Sequence, residues 1–477
     1  MWLLGTLGLR PLLLPDEGRY ADVAREMLRS GHLLTPLLDG LPFFHKPPLM
    51  YWLDIAAMQF LGVNQFSARI GPAVGAWLMG AAMFLALRRW NGPRAAVAAL
   101  LVLATTPFFY VGAQYANLDM LVGGLITATV LAFVRAVDDP RPTLRWIAIA
   151  WALAGLSVLA KGLIGIVLPA VVVGPWLLAQ GRWRDALRLL HPLGLAACAV
   201  VALPWMVVMQ QRYPGFFDYF IVEQHFRRFS QTGFNNAQPL WFYPVVLPLL
   251  TLPWSLWVPW GVRDAWRRRA TDARWRIALY AWWIVAIAGF FSLPSSKLVG
   301  YVLPALAPWC LLIASVAMRR ARLMAATLLV GGALGLGVVL FVTWLAPHSS
   351  RLAAEVLASQ FARGDRVVFV DEMFYDLPFY ADLPEPVVVA SDWASPEIAL
   401  RDNWRKELAD AARFDPAKAK TLLWPLARIA ELACHPHTVW FVMRPGGAAK
   451  AASVPGLIAA YADADVLLMR TPPRTCR

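Results

Sequence analysis

Charge is scarce in this sequence. Only 16% of its 477 residues are Asp, Glu, Lys or Arg, against about 25% in soluble domains. Acidic residues are the scarcer sign, 30 against 44 Lys and Arg, which leaves a formal net charge of +14. The four cysteines are too few for a disulfide scaffold. Cys198 and Cys310 fall in apolar runs and read as packing residues. Cys434 and Cys476 lie in polar C-terminal sequence, where an extracytoplasmic setting would permit one bridge that sequence alone does not decide. No nucleotide-binding signature is present, so no nucleotide sugar is expected. An obvious repeat of two similar halves, carried by many transporters, is also lacking.

What fills the chain is apolar sequence: 59% hydrophobic residues with 23 Trp and a mean hydropathy of +0.53. Together with repeated long apolar runs, this describes a polytopic membrane protein rather than a large soluble core. The Lys and Arg sit in short clusters between those runs. Such placement is the positive-inside pattern, not a nucleic-acid footprint, and Trp266-Arg267-Arg268-Arg269 reads as an interface anchor.

Residues 1–14 are apolar but shorter than the ~20 residues a span needs. With no small-residue cleavage site after them, they read as a first membrane helix, and whether its start lies upstream of Met1 is not decided by the sequence. A polar first loop follows at about 15–66, in which Asp16 is placed to cap a helix running through Met27. Residues 49–63 hold Asp54 and Gln59 and read as interfacial or re-entrant. Apolar runs then recur at about 67–87, 95–112, 118–135, 147–159, 162–180, 189–209, 239–260, 277–292, 298–318 and 323–346. Basic clusters occupy alternate loops: Arg88, Arg89 and Arg94; Arg141 and Arg145; Arg182, Arg184 and Arg188; Arg263 through Arg276; and Arg319, Arg320 and Arg322. That side is expected to be the cytoplasm. The pattern gives about eleven spans, with the N-terminus inside and the C-terminus outside.

After residue 348 the character changes. Residues 366–370, 386–390 and 438–442 read as strands, with helical sequence over 397–433. The expected fold is therefore a polytopic α-helical membrane domain (1–348) followed by a small periplasmic α/β domain (349–477). The latter shows no Gly-rich phosphate loop and no nucleophile arrangement, and reads as a cap or docking domain. His435 and His437, flanking Pro436, suit either a metal or a surface turn.

Charged residues near spans are rare because each costs at least a few kcal/mol at the bilayer centre. The outer face collects Asp16, Glu17, Arg19, Lys46, Asp54, Asp119, Lys161, Glu223, His225, Arg227, Arg228 and Lys297. Carboxylates suit proton removal from an attacking hydroxyl. Lys and Arg suit a phosphate that gains charge as it leaves. The mixture fits displacement of a lipid phosphate from a sugar, and equally the salt-bridge gate of a transporter or flippase.

The run Asp16-Glu17-Gly18-Arg19-Tyr20-Ala21, with Phe44-His45-Lys46-Pro47-Pro48-Leu49 and Tyr51-Trp52-Leu53, resembles the first periplasmic loop of GT-C membrane glycosyltransferases. The resemblance is to the bacterial protein O-mannosyltransferase-like family that includes the lipid A aminoarabinose transferases. Asn117-Leu118-Asp119, Leu159-Ala160-Lys161-Gly162, Glu223-Gln224-His225-Phe226-Arg227-Arg228-Phe229, Pro239-Leu240-Trp241-Phe242-Tyr243 and Ser295 through Pro304 follow in the family's order, covering about residues 1–350.

The resemblance implies an inverting transfer of a sugar from undecaprenyl phosphate to a periplasmic acceptor such as lipid A or another envelope glycan. A protein O-mannosyltransferase is the alternative enzyme. It implies Asp16 and Asp119 as catalytic carboxylates, where the residues by themselves also suit helix caps. It implies that Arg19, Lys46 and Tyr301, joined by Arg228 and Lys297, hold the carrier phosphate, and that Glu17, Tyr20 and Lys161 line the substrate site. For Lys161 and Lys297, snorkelling to headgroups is the plainer reading; for Arg227 and Arg228, surface solvation and phosphate contact stand level. Where the lipid A enzymes carry a metal-site Glu, this chain has His45. With His225 and Glu223 it is a candidate set for a divalent ion, zinc or magnesium.

Overall fold

The computed structural model describes residues 2–138, 143–227, 236–267, 274–345 and 349–473. Among these, seven helices are long and apolar enough to cross a membrane: Ser67–Asn91, Leu118–Asp138, Leu144–Lys161, Pro192–Arg212, Arg274–Ser292, Val299–Ala317 and Ala321–Leu345. Two bent pairs raise the number to nine at most: Pro93–Ala104 with Pro107–Ala113, bent by 70°, and Phe242–Leu250 with Trp254–Arg267, bent by 104°. This is fewer than the eleven that apolar runs suggest. A proline follows each break, and its ring and missing N–H interrupt the helix without interrupting the apolar composition. The Ile164–Ala179 helix, with Pro169 and Pro175 inside it, is too short to qualify. Residues 2–9 form turns rather than the expected first helix. Gly5, Gly8 and Pro11 weaken a stretch already near the length at which helices are marginal.

The chain divides into two compact units. The first comprises Met1–Leu7, Lys46–Met50 and Arg69–Val342; the second comprises Gly8–His45, Tyr51–Ala68 and Thr343–Arg477. Where the sequence reading draws one boundary at 348/349, the units are discontinuous, because the first loop packs with C-terminal sequence. Arg25 donates to the Leu383 carbonyl (2.7 Å) and Asp39 accepts from the Val387 N–H (2.8 Å).

In the first unit the Leu118–Asp138 helix is almost wholly buried. A side chain at Gly75 would collide with the backbone of Leu121, and one at Gly124 with the carbonyl of Gly75. Small residues thus let two backbones touch, the usual basis of helix association in lipid. The ends of the bundle differ in chemistry. At one end, Trp90 donates to Asp138 (2.9 Å), Arg182 to the Val137 carbonyl (2.6 Å) and Arg276 to the Trp90 carbonyl (3.3 Å). The predicted alternate basic loops therefore meet. The opposite end carries Asp119 and Lys161.

The second unit contains the first-loop helix Asp16–Ser30, the ribbon β1 (Leu37–Leu38) and β2 (Leu41–Pro42), and a six-stranded sheet. The sheet strands are β3 (Arg366–Val370), β4 (Val388–Ser391), β5 (Leu423–Pro425), β6 (Val439–Met443), β7 (Ile458–Ala462) and β8 (Leu467–Thr471), in the order β5-β4-β3-β6-β8-β7. The first four run parallel, and β8 and β7 add antiparallel. Val368, Val370, Ala390, Phe441 and Met443 fill its core with Trp424 and Ile429. Parallel strands covered on both faces read as continuous apolar runs, which is why β3, β4 and β6 were legible.

Candidate active site

In the first unit, Asp119 is the second residue of its helix. The cap is Asn117, whose side-chain oxygen accepts from the Asp119 N–H (2.9 Å), so the carboxylate is released from the capping role. It pairs instead with Lys161, the last residue of the Leu144–Lys161 helix. Both side chains are largely buried, at 10% and 13% exposure. The Lys161 ammonium also lies 4.4 Å from the centroid of the Tyr301 ring, a cation–π distance. Tyr301 sits in the tight turn Val299–Ala305, with Phe291 tilted against its ring at 5.0 Å. The preceding strand of chain is held by the Tyr243 hydroxyl, which donates to the Leu298 carbonyl (2.9 Å). Gly300 completes the cluster: a Cβ there would overlap the Asp119 carboxylate.

Lys297 is buried at 3% exposure, and its ammonium donates to the carbonyls of Pro294 (2.6 Å) and Gln238 (2.7 Å). Those bonds brace the turn and neither leave it to snorkel nor direct it to a phosphate. Lys46, between His45 and Pro47, belongs to this unit and is half-buried.

The second unit holds a separate charge cluster. Asp16 is the first residue of its helix, and the N-cap position is Pro15, with no side-chain capping bond. The Asp16 carboxylate accepts from Arg19 one turn on. Arg19 also pairs with Glu407, and Glu407 accepts from the Tyr375 hydroxyl (2.6 Å). The Arg19 guanidinium lies 5.0 Å from the Tyr20 ring and 5.6 Å from the Tyr375 ring. Burial works against the Arg19 charge, but Glu407, Tyr20 and Asp16 outweigh it and hold the guanidinium firmly protonated. Burial raises the Glu407 carboxyl above its usual range, and Arg19 and the Tyr375 hydroxyl only partly offset this.

Glu17, expected in the substrate site, is instead fully buried. It is braced by Arg10 (Nη2 to Oε1, 3.0 Å) and the Leu13 N–H (3.0 Å). Tyr20 is buried, its ring 6.4 Å from that of Tyr51. His45 is buried and stacked on Phe43 at 4.7 Å.

Among the described residues, no three His, Cys, Asp or Glu are grouped to hold a metal ion. Glu223 lies in the π-helix Asp218–Arg227. The His225 and Arg227 side chains and all of Arg228 lie outside the described residues, so the described side chains alone do not assemble the candidate metal set. At His435 and His437, the His437 N–H donates to His435 Nδ1 (3.2 Å), which makes this a local turn. Cys434 is disulfide-bonded, Cys476 lies outside the described residues, and Cys198 and Cys310 are free and buried.

Three contributors escaped the sequence reading: Gly300, Tyr375 and Glu407. Gly300 stood inside a recognised motif without a role. The two C-terminal residues carry no local signal, since Glu407 follows an Asn403-capped helix start in which a glutamate is unremarkable.

Residues 12–220 match the family model described as dolichyl-phosphate-mannose-protein mannosyltransferase (PMT). The undecaprenyl phosphate-alpha-4-amino-4-deoxy-L-arabinose arabinosyl transferase of Erwinia tasmaniensis is 32% identical over 318 residues, 66% of this chain and 57% of that protein. Its counterpart in Pseudomonas savastanoi pv. phaseolicola is 35% identical over 312 residues, 65% and 57%. That of Pseudomonas aeruginosa is 32% identical over 346 residues, 71% and 62%. The matched stretch thus spans less than two thirds of these relatives. The crystal structure of ArnT from Cupriavidus metallidurans bound to undecaprenyl phosphate superposes with a TM-score of 0.83 at 23% identity, covering 98% of this chain and 96% of that one.

Proposed function

We propose, from the PMT-family GT-C fold that this multi-span membrane chain carries, that it is a glycosyltransferase using a sugar on undecaprenyl phosphate. The similar proteins named above act with a 4-amino-4-deoxy-L-arabinose donor, and an aminopentose on the same carrier is the donor assigned here. The acceptor is lipid A or another envelope glycan. The setting is the bacterial inner membrane, N-terminus in the cytoplasm, with first loop and C-terminal domain in the periplasm. The gathering of Trp90, Arg182 and Arg276 at one bundle end supports this orientation through the positive-inside rule.

The observation that carries the reading is the buried Asp119–Lys161 pair beside Tyr301. Ionisable groups among membrane helices are expensive and mark functional sites by default. An acceptor hydroxyl attacks the anomeric carbon as its proton passes to the Asp16 carboxylate. The anomeric C–O bond breaks with inversion, and both electrons leave with polyprenyl phosphate. Lys46 and Tyr301 suit that phosphate as its charge grows. Asp119 and Lys161 fix the Tyr301 turn and line the sugar site. Lys297 is left out of the phosphate set because carbonyls take up its donors.

The test is release of free polyprenyl phosphate by purified protein given glycolipid donor and lipid A. Asp16→Asn is expected to abolish release while the protein still folds, and undiminished turnover would remove Asp16 from the role of base. Movement of the glycolipid across vesicles without cleavage would identify a flippase. Transfer to a secreted Ser or Thr would identify a protein O-mannosyltransferase.

A further inference from the structure

We propose that Glu407 is a positioning residue, holding Arg19 and through it Asp16, so that the C-terminal α/β domain supplies a group on which sugar transfer depends. The inference rests on the transferase reading above and assigns that domain a part in the reaction itself.

A guanidinium has five N–H donors in a rigid fork. Arg19 directs Nη1 to Glu407 and Nη2 to Asp16. Its Nε is buried and has no hydrogen-bond partner among the described residues. Two carboxylates therefore fix the plane of the fork, Nη2 also reaches the Tyr20 hydroxyl (3.5 Å), and the buried Nε is among the donors left for an anionic oxygen such as that of the carrier phosphate. On Asp16 the bond from Arg19 takes Oδ1, which assigns Oδ2 to the acceptor hydroxyl.

Asp16 alone would not fix this plane. It lies on the same helix as Arg19, three residues away and 31% exposed, whereas the Glu407 side chain is 9% exposed. Glu407 is itself immobilised. Its other oxygen takes the Tyr375 hydroxyl (2.6 Å), and its helix start is tied by Asn403, which accepts from the Arg405 and Lys406 N–H groups. Burial raises the Glu407 carboxyl, and Arg19 with the Tyr375 hydroxyl offsets part of that cost. The bland alternative is an ion pair that only joins the first-loop helix to the domain. It predicts lost stability but unaltered turnover per folded molecule.

The experiment measures kcat and KM for polyprenyl phosphate release per folded molecule in full-length protein, using Glu407→Gln, Glu407→Asp and Tyr375→Phe with Asp16→Asn beside them. Misplacing a reacting group by about 1 Å can cost on the order of 100-fold in rate. Glu407→Gln is expected to lower kcat about 10- to 100-fold with little change in KM, and Glu407→Asp to recover part of it. Tyr375→Phe is expected to lower kcat several-fold. Wild-type kcat in Glu407→Gln, with Asp16→Asn inactive, overturns the positioning role alone. An active Asp16→Asn overturns the reading beneath it. If Glu407→Gln does not fold, Tyr375→Phe decides, since it keeps both charges; wild-type kcat there overturns the proposal.

Discussion

Lys161 closes one membrane helix and Asp119 opens another, and the two side chains meet as a buried ion pair. Each charge also lies where its own helix favours it, the carboxylate at an N-terminus and the ammonium at a C-terminus. Removing one partner of such a pair leaves a buried charge uncompensated, at about 3–5 kcal/mol. Asp119→Asn and Lys161→Met should each lower the melting temperature in detergent. The double substitution should restore most of the lost stability but not the release of polyprenyl phosphate. A double variant no more stable than the worse single one would show that the pair is not a coupled unit.

Gly300 lets the backbone of the Tyr301 turn come against the Asp119 carboxylate. Gly300→Ala has no room for its methyl group unless Asp119 or the turn moves. Since Lys161 also lies over the Tyr301 ring, any such shift disturbs all three groups. The expected outcome is a loss of at least about 10-fold in kcat/KM, on the ~1 Å displacement scale, with a folded yield close to wild type. Wild-type kinetics in Gly300→Ala would mean that the turn relaxes without consequence.

Lys297 separates a bracing ammonium from a ligand-binding one. Lys297→Leu strips the carbonyls of Gln238 and Pro294 of their ammonium donor. A hydrogen bond to a charged donor is worth about 1.5–3 kcal/mol. The folded fraction and melting temperature should fall while KM for the carrier lipid in the surviving protein stays put. A tenfold rise in KM with unchanged stability would return Lys297 to the phosphate site.

The site was legible in outline because charge among apolar runs is rare and can be counted. What each charge pairs with was not. Asp16 and Asp119 both look like helix caps in sequence, yet Pro15 holds one cap position and Asn117 caps the other helix. The partner of Arg19 lies 388 residues away, beyond any local pattern. Prolines at 107 and 253 bend apolar runs that look continuous by composition. β3 and β6 announced themselves by Val and Phe, whereas β7, with the exposed, alanine-rich sequence Ile458–Ala462, did not.

The first-loop helix also carries Glu26, half-buried, whose carboxylate accepts from the Gly40 N–H. Burial, reinforced by the charge of Asp22, pushes its carboxyl up to about 7, with Arg25 and Lys418 pulling the other way. Burial and the charge of Glu26 raise Asp39 in the same sense, and burial raises Asp376 to about 6. A raised folded-state value means that the folded protein binds the proton more tightly than the unfolded chain, whose carboxyl titrates at about 4.3. The stability this linkage contributes is fully present below about pH 4.3 and is lost as pH rises through about 7. Between pH 5.5 and 8, thermal stability and amide protection of the Asp16–Ser30 helix should therefore fall as pH rises. Glu26→Gln keeps an acceptor for Gly40 and removes the ionisation. At roughly 1.4 kcal/mol per pKa unit, discounted for partial exposure, it should gain on the order of 1–2 kcal/mol at pH 8. At pH 5.5 the unfolded carboxyl is already ionised, so the gain there should be about half of that at pH 8, with Asp39 and Asp376 supplying the residual slope. The measurement is a series of melts of wild type and Glu26→Gln across that range. Parallel pH profiles for the two proteins would show that Glu26 titrates at its ordinary value in the folded state.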